Sequence, residues 1–244
     1  YLKANKNNNI HDHVKQGRRQ VGSTFKPFLY ATAIDQLHLS PCDTVPDIPY
    51  CIPAGDMGAQ EDWCPENSSE GFKGMITLKS ALANSINTVS ARLMHRVGPQ
   101  PVINLIDKLG VDTENIPAVP SIALGTPDLS LFEMVSAYSA FANKGVHVEP
   151  QIVSTIVDKN GTVLYQSVPK AKDIISQESA YVTVNLMEGV TQYGSGARLR
   201  SGAINNYVYN NVVTGHPYMF KNPIAGKTGT TQNQSDGWFM GMVP

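Results

Sequence analysis

Pro27 is the residue that most narrows what this chain can build. It stands in the stretch Gly22-Ser23-Thr24-Phe25-Lys26-Pro27, followed by Phe28, Leu29, Tyr30 and Ala31. Phe25, Phe28, Leu29 and Ile34 recur at helical spacing and predict one apolar face aimed at a core. Proline has no N–H, and its ring clashes with the carbonyl four residues back, here that of Ser23. The helix therefore cannot run far upstream, which puts Ser23 at or beside its N-terminus. Free N–H groups and the positive dipole end favour an anion there. Lys26 lies one turn down on the same face, and the spacing predicts that its amine reaches the serine hydroxyl. A lysine held against apolar neighbours can lose its proton near neutral pH and act as the base that activates a serine. The same pair also fits a serine N-cap beside a solvated lysine, so alone it identifies nothing.

The 244 residues carry 41% hydrophobic and 16% charged side chains with a net charge of −1. That is enough for one large domain or two intimately packed subdomains. Balanced charge argues against nucleic acid as a partner. No apolar run is long enough to span a bilayer, and Tyr1 to Asn9 has none of the features of a signal peptide. Cys42, Cys51 and Cys64 lie in one proline-rich stretch and match no Cys-x-x-Cys metal pattern, so no zinc site with His38 is expected. One disulfide and one free thiol fit better, with the pair left open.

Residues 1–22 are polar and asparagine-rich and read as a loop leading to the serine. Residues 40–72 are broken by proline and glycine and read as irregular loop. Thr77 is an N-cap before Leu78, Ala81 and Leu82, and the helix it opens is interrupted at Asn84-Ser85-Ile86-Asn87 before resuming to Gly98. A short helix is predicted over 101–109. Ser130 and Glu133 form a capping box for a helix bearing Met134, Val135, Tyr138 and Phe141, stopped by Gly145. Asn160-Gly161 predicts the turn of a hairpin between 152–157 and 163–165. Another helix is expected over 177–193 and a loop over 205–222. Ile224 to Thr230 and Trp238 to Val243 read as two strands joined by a polar turn.

Two further elements bear chemistry. Ser85-Ile86-Asn87 puts a hydroxyl and a carboxamide two apart at a helix break, where one can relay a proton and the other can hold a peptide; both residues are also ordinary caps. Lys227-Thr228-Gly229-Thr230 puts an ammonium and two hydroxyls on a strand, with a glycine that lets a substrate backbone come close. Gly226-Lys227-Thr228 also matches the tail of a phosphate-binding loop. That motif needs glycine where Lys221 stands, and a helix after the threonine rather than a turn and a strand.

Ser-x-x-Lys, Ser-x-Asn and Lys-Thr-Gly in this order are specific together where each is weak alone. The sequence resembles the transpeptidase domain of penicillin-binding proteins, most closely the bifunctional class A enzymes. Arg19-Gln20-Val21-Gly22, Pro27-Phe28, Trp63-Cys64-Pro65-Glu66-Asn67, Ala123-Leu124-Gly125-Thr126, Ala137-Tyr138, Phe141-Ala142-Asn143, Glu188-Gly189-Val190 and Asp236-Gly237-Trp238-Phe239 extend the likeness over nearly the whole chain, which is read as one such domain over residues 1–244.

The resemblance implies an α/β sandwich, with an antiparallel five-stranded sheet flanked by helices and an all-helical subdomain. It implies that Ser23 attacks the penultimate D-alanyl carbonyl of a peptidoglycan stem peptide with Lys26 as base. Ser85 would pass the proton to the departing D-alanine, Asn87 would bind the substrate chain, and Lys227 would tune the electrostatics. Thr228 and Thr230 would hold the terminal carboxylate, Gly229 would let the substrate backbone come close, and the N–H groups of Ser23 and Thr230 would form the oxyanion hole. β-Lactams would acylate Ser23 as substrate mimics. No cofactor or metal is expected. The implied location is the periplasmic face of the inner membrane, with the anchor and the glycosyltransferase domain outside this sequence. Family strands before Ser23 and after Val243 are missing, so the sheet is expected to be incomplete and its edge open to self-association.

A serine β-lactamase uses similar motifs, but its commonest type relies on a Glu-x-x-Leu-Asn segment absent here, and the oxacillin-hydrolysing type has Ser-x-Val. A D,D-carboxypeptidase, or a β-lactam sensor that acylates without turnover, is the remaining alternative.

Overall fold

The computed structural model describes residues 12–200, 220–231 and 235–243, together with the backbone of two short strands at 208–209 and 212–213. Strand β1 (Arg18–Gln20) leads into a 3-10 turn (Gly22–Phe25) and helix α1 (Lys26–Leu37). The proline accounts for the change of helix type. Pro27 has no N–H to offer the Ser23 carbonyl, and the Lys26 N–H bonds it instead, one residue early. Residues Lys26 to Ile34 are buried on every side, so α1 is a core helix rather than an amphipathic surface one.

Around it the chain lays β2 (Thr44–Asp47), β3 (Gly74–Thr77), α2 (Leu78–Ala83), α3 (Asn87–Val97) and α4 (Pro99–Lys108). Next come β4 (Asp128–Ser130), α5 (Leu131–Ala142) and β5 (Val146–Val148). The exposed hairpin β6 (Thr155–Val157) and β7 (Val163–Gln166) follows, then β8 (Ala171–Asp173) and α6 (Gln177–Gln192). Last are β9 (Val208–Tyr209), β10 (Val212–Val213), β11 (Ala225–Thr230) and β12 (Gly237–Met242). Among the described residues the strands pair antiparallel and two by two: β1 with β4, β2 with β3, β5 with β8, β6 with β7, β9 with β10, and β11 with β12.

One core joins these elements. α1 packs against α3, α4 and α6, and α6 in turn carries β11. Phe28 meets Tyr138 edge-on at 5.3 Å and Phe141 at 5.6 Å, which fixes α5 against α1. The Tyr138 hydroxyl donates to the Thr24 carbonyl, tying α5 to the turn that holds Ser23. The Thr77 cap, the Ser130–Glu133 capping box, the Gly161 turn and both final strands stand as the sequence predicts.

Three readings are corrected. Residues 40–72 are not wholly irregular: β2 lies within them, paired with β3 through partners distant in sequence. Arg18–Gln20, read as loop, is a strand because Asp128–Ser130 supplies its hydrogen bonds. The short β5 and β8 likewise take their hydrogen bonds from each other across the sequence. The cysteine pair left open is Cys51–Cys64, with Cys42 free and exposed. The stretch 205–222, expected as loop, holds the paired strands β9 and β10, and most of its other residues lie outside the described ones. No described helix is long and apolar enough to cross a membrane.

Candidate active site

Glycines bring the three motifs together. Gly22, at φ 55°, faces the Thr230 carbonyl so closely that a Cβ would stand 2.7 Å from its oxygen. Gly125, at φ 77°, would put a Cβ 1.8 Å from the Gly22 carbonyl oxygen, and Gly22 N–H donates to the Gly125 carbonyl at 2.9 Å. Gly229 would meet Val21 O at 2.8 Å. The head of α1, the strand β11 and the Leu124-Gly125 segment thus touch backbone to backbone, which only glycine permits.

Ser85 owes its place to the end of α2. Ile86 N–H bonds Ala81 O and Ser85 N–H bonds Leu82 O, the paired bonds of a Schellman motif. Its left-handed position normally belongs to glycine, yet Ser85 occupies it at φ 57°. The hydroxyl that results is aimed between two lysines. Lys26 Nζ donates to Ser85 Oγ at 3.1 Å, to Ser85 O at 2.7 Å and to Asn87 Oδ1 at 2.6 Å. Lys227 Nζ donates to Ser85 Oγ at 2.9 Å and to Thr228 O at 2.9 Å. Both lysines are fully buried. Burial pulls the Lys227 amine down to about 7. Burial also holds Lys26 well below its ordinary value, and the nearby Lys227 charge lowers it further. Two ammonium groups sharing one hydroxyl repel each other, so near neutral pH the pair favours losing a proton.

Ser23 stands partly exposed at the wall of a cavity of about 300 Å³, with Gln20, Trp63, Asn87, Ser121, Thr126 and Thr230 around it. No carboxylate lines this cavity among the described residues. The sequence expectation that Lys26 reaches the Ser23 hydroxyl is corrected. In this state its partners are Ser85 and Asn87, whose acceptors take the ammonium in a buried site, and Ser23 Oγ has no hydrogen bond among the described residues. Thr228 is also drawn elsewhere: its hydroxyl pairs with that of Ser195 beyond α6, and it does not line the cavity. Gly229 abuts the serine turn, and Thr230 lies at the cavity wall.

Other residues here were not singled out from the sequence. Asn87 Nδ2 donates to Glu66 O at 2.7 Å, so its amide is held from both ends. Asn67 Oδ1 accepts from Asn87 N at 2.9 Å, and Asn67 Nδ2 donates to Asp47 Oδ1 at 2.8 Å. The Pro65-Glu66-Asn67 string was a signal for this loop; Asp47 gave none, since its partners are far away in sequence. No group of three or more His, Cys, Asp or Glu side chains able to hold a metal occurs among the described residues.

Comparisons with known proteins show the family and the fold. The family model for the penicillin binding protein transpeptidase domain matches residues 1–244. Penicillin-binding protein 1A of Aquifex aeolicus is 34% identical over 93% of this chain, and that of Neisseria meningitidis is 33% identical over 94%. The chain spans only 28% and 27% of those two proteins. Among solved structures, penicillin-binding protein 1A from Haemophilus influenzae superposes with a TM-score of 0.80 at 24% identity, covering 94% of this chain and 37% of that one. PonA1 from Mycobacterium tuberculosis gives 0.73 at 25% identity, covering 97% of this chain and 60% of that one. The chain belongs to the penicillin-binding protein transpeptidase domain family.

Proposed function

We propose that this domain is a serine D,D-transpeptidase that cross-links peptidoglycan stem peptides through an acyl-enzyme on Ser23 and is acylated there by β-lactams. The observation that carries the reading is the Ser85 hydroxyl, shared by the buried amines of Lys26, one turn after the cavity-facing Ser23, and of Lys227 on β11.

Ser23 Oγ attacks the penultimate D-alanyl carbonyl carbon, and its proton passes to neutral Lys26. The oxyanion forms between the N–H groups of Ser23 and Thr230, each worth about 3 kcal/mol by analogy with other acyl transfer. The C–N bond then breaks, and the leaving D-alanine nitrogen takes a proton through Ser85 Oγ from the lysine pair. Thr230 and Lys227 offset the negative charge of its carboxylate. An amine of a second stem peptide attacks the ester, loses a proton to the same pair, and Ser23 Oγ leaves with a proton. Lys26 has to turn from Asn87 toward Ser23 for the first step, and such contacts commonly tighten only once substrate is bound. Asn87 is then free to hold the substrate backbone.

The membrane-facing, periplasmic setting and the neighbouring glycosyltransferase domain follow as proposals from the relatives' kind. A β-lactamase would need a base for a hydrolytic water, and the cavity wall offers no carboxylate for that role. Labelling with a fluorescent penicillin followed by peptide mapping tests the reading. Wild type labels at Ser23 and holds the label, Ser23→Ala does not label, and Lys26→Ala slows labelling by orders of magnitude. Labelling that survives Ser23→Ala ends the assignment. Rapid turnover of a chromogenic cephalosporin supports the lactamase instead.

A further inference from the structure

Asp47 is a fully buried carboxylate outside the cavity that the mechanism above does not use. It ends β2, and three donors converge on it. Asn67 Nδ2 at 2.8 Å and Thr88 Oγ1 at 2.7 Å share Oδ1, while Lys73 N–H reaches Oδ2 at 2.9 Å. A buried charge is costly unless every lone pair in reach is used, and here the donors come from two loop residues and a helix.

What the carboxylate fixes is the orientation of one amide. An asparagine can present either oxygen or nitrogen to its neighbours. Asn67 must turn its NH2 group to Asp47, so its oxygen faces α3. There it accepts from Asn87 N at 2.9 Å and Thr88 N at 3.3 Å, the first two free N–H groups of that helix. The residue at the ordinary capping position is Ile86, which has no side-chain acceptor, so Asn67 supplies the cap from a different loop. The capped residue is Asn87 itself, whose oxygen holds Lys26 at 2.6 Å. Glu66, adjacent to Asn67, holds the other end of the same amide through its carbonyl. Cys64 lies three residues before Asn67 and is clamped to Cys51, with Ile52 and Trp63 exchanging two backbone bonds of 2.9 and 2.8 Å beside the disulfide.

We propose that Asp47 and Asn67 are positioning residues for acyl transfer: the carboxylate orients the Asn67 amide, the amide caps α3, and the cap holds Asn87 where it binds Lys26 at rest and the substrate backbone once Lys26 has turned to Ser23. The inference rests on the transpeptidase reading and adds a relay to it. The titratable groups bearing on it are Lys73 beside Asp47, and Lys227 facing Lys26 across Ser85. Asp47→Leu is close in size and offers no acceptor to any of the three donors, which frees the Asn67 amide to turn.

The test measures fluorescent-penicillin acylation of the chain against pH, for wild type, Asp47→Leu, Asn67→Ala and the double variant. Each single variant is expected to slow acylation by about tenfold to a hundredfold, as small misplacements of reacting groups do. The double variant should be no slower than the worse single, because both act on one chain of contacts. The acidic limb of the profile should move to lower pH, since the Lys26 ammonium loses an acceptor. Thr88→Val removes one donor to Asp47 without disturbing Asn67. It should lower the melting temperature and leave the pH profile in place. A profile unchanged in folded Asp47→Leu, or additive losses in the double variant, overturns the relay. Absence of Ser23 labelling in wild type instead overturns the transpeptidase reading on which it rests.

Discussion

Two lysines in one dry site have a consequence that can be measured on the folded chain. Lys227 titrates at about 7 when folded, against an ordinary lysine value near 10.4 when unfolded. Below about pH 7 both states carry the proton, and the folded state bears the full cost of burying it. Between about 7 and 10.4 the unfolded state binds more protons than the folded state, so stability rises with pH across that window. Lys26 shifts in the same direction and adds to the slope. The urea midpoint of wild type should therefore increase between about pH 7 and pH 9.5, and Lys227→Met should show a smaller increase. A flat wild-type midpoint would mean that water reaches these amines and that neither is poised to act as a base.

At the scale of an element, the end of α2 sets backbone comfort against chemistry. The Schellman position at residue 85 suits glycine, and serine holds φ 57° there at a cost of roughly 1 kcal/mol. Strain of this kind persists where the side chain is required. Ser85→Gly should then be more stable than Ser85→Ala by about 1 kcal/mol, while both lose most acylation activity. Thermal denaturation paired with penicillin labelling checks this; equal stability of the two variants would show that the turn is unstrained. The neighbouring α3 presents the opposite case. It begins on Ile86, an unsuitable cap, and takes its cap from Asn67 on another loop, so its first free N–H groups are satisfied only where that loop docks.

For the whole molecule, the β11–β12 ladder is the exposed flank. β12 pairs with β11 on one edge only among the described residues, and Phe239 is 43% exposed beside it. An unpaired edge with an apolar side chain invites pairing with a second chain. Solutions of this chain should show concentration-dependent association, which Phe239→Lys should weaken, as followed by size exclusion with light scattering. A strictly monomeric wild type over a broad dilution series would show that the helices beneath the hairpin protect its edge.

Local rules determined much of this molecule. Pro27 fixed where α1 could begin, Thr77 and Ser130 fixed two further starts, and Gly161 fixed a turn, because each acts on hydrogen bonds within a few residues of itself. The order Ser23-Lys26, Ser85-Asn87, Lys227-Thr230 was likewise legible, since residue type and spacing along the chain were enough to suggest the chemistry. Tertiary structure alone decided the rest. β1, β2, β5 and β8 are short, and their pairing energy comes from strands far away in sequence, so no local period announced them. Lys26 turned to Ser85 and Asn87 rather than to Ser23, because a buried ammonium takes whichever acceptors the fold brings to it. Asp47 was invisible for the same reason: a carboxylate's role depends on the donors that surround it, and those arrive only when β2, the Asn67 loop and α3 have packed together.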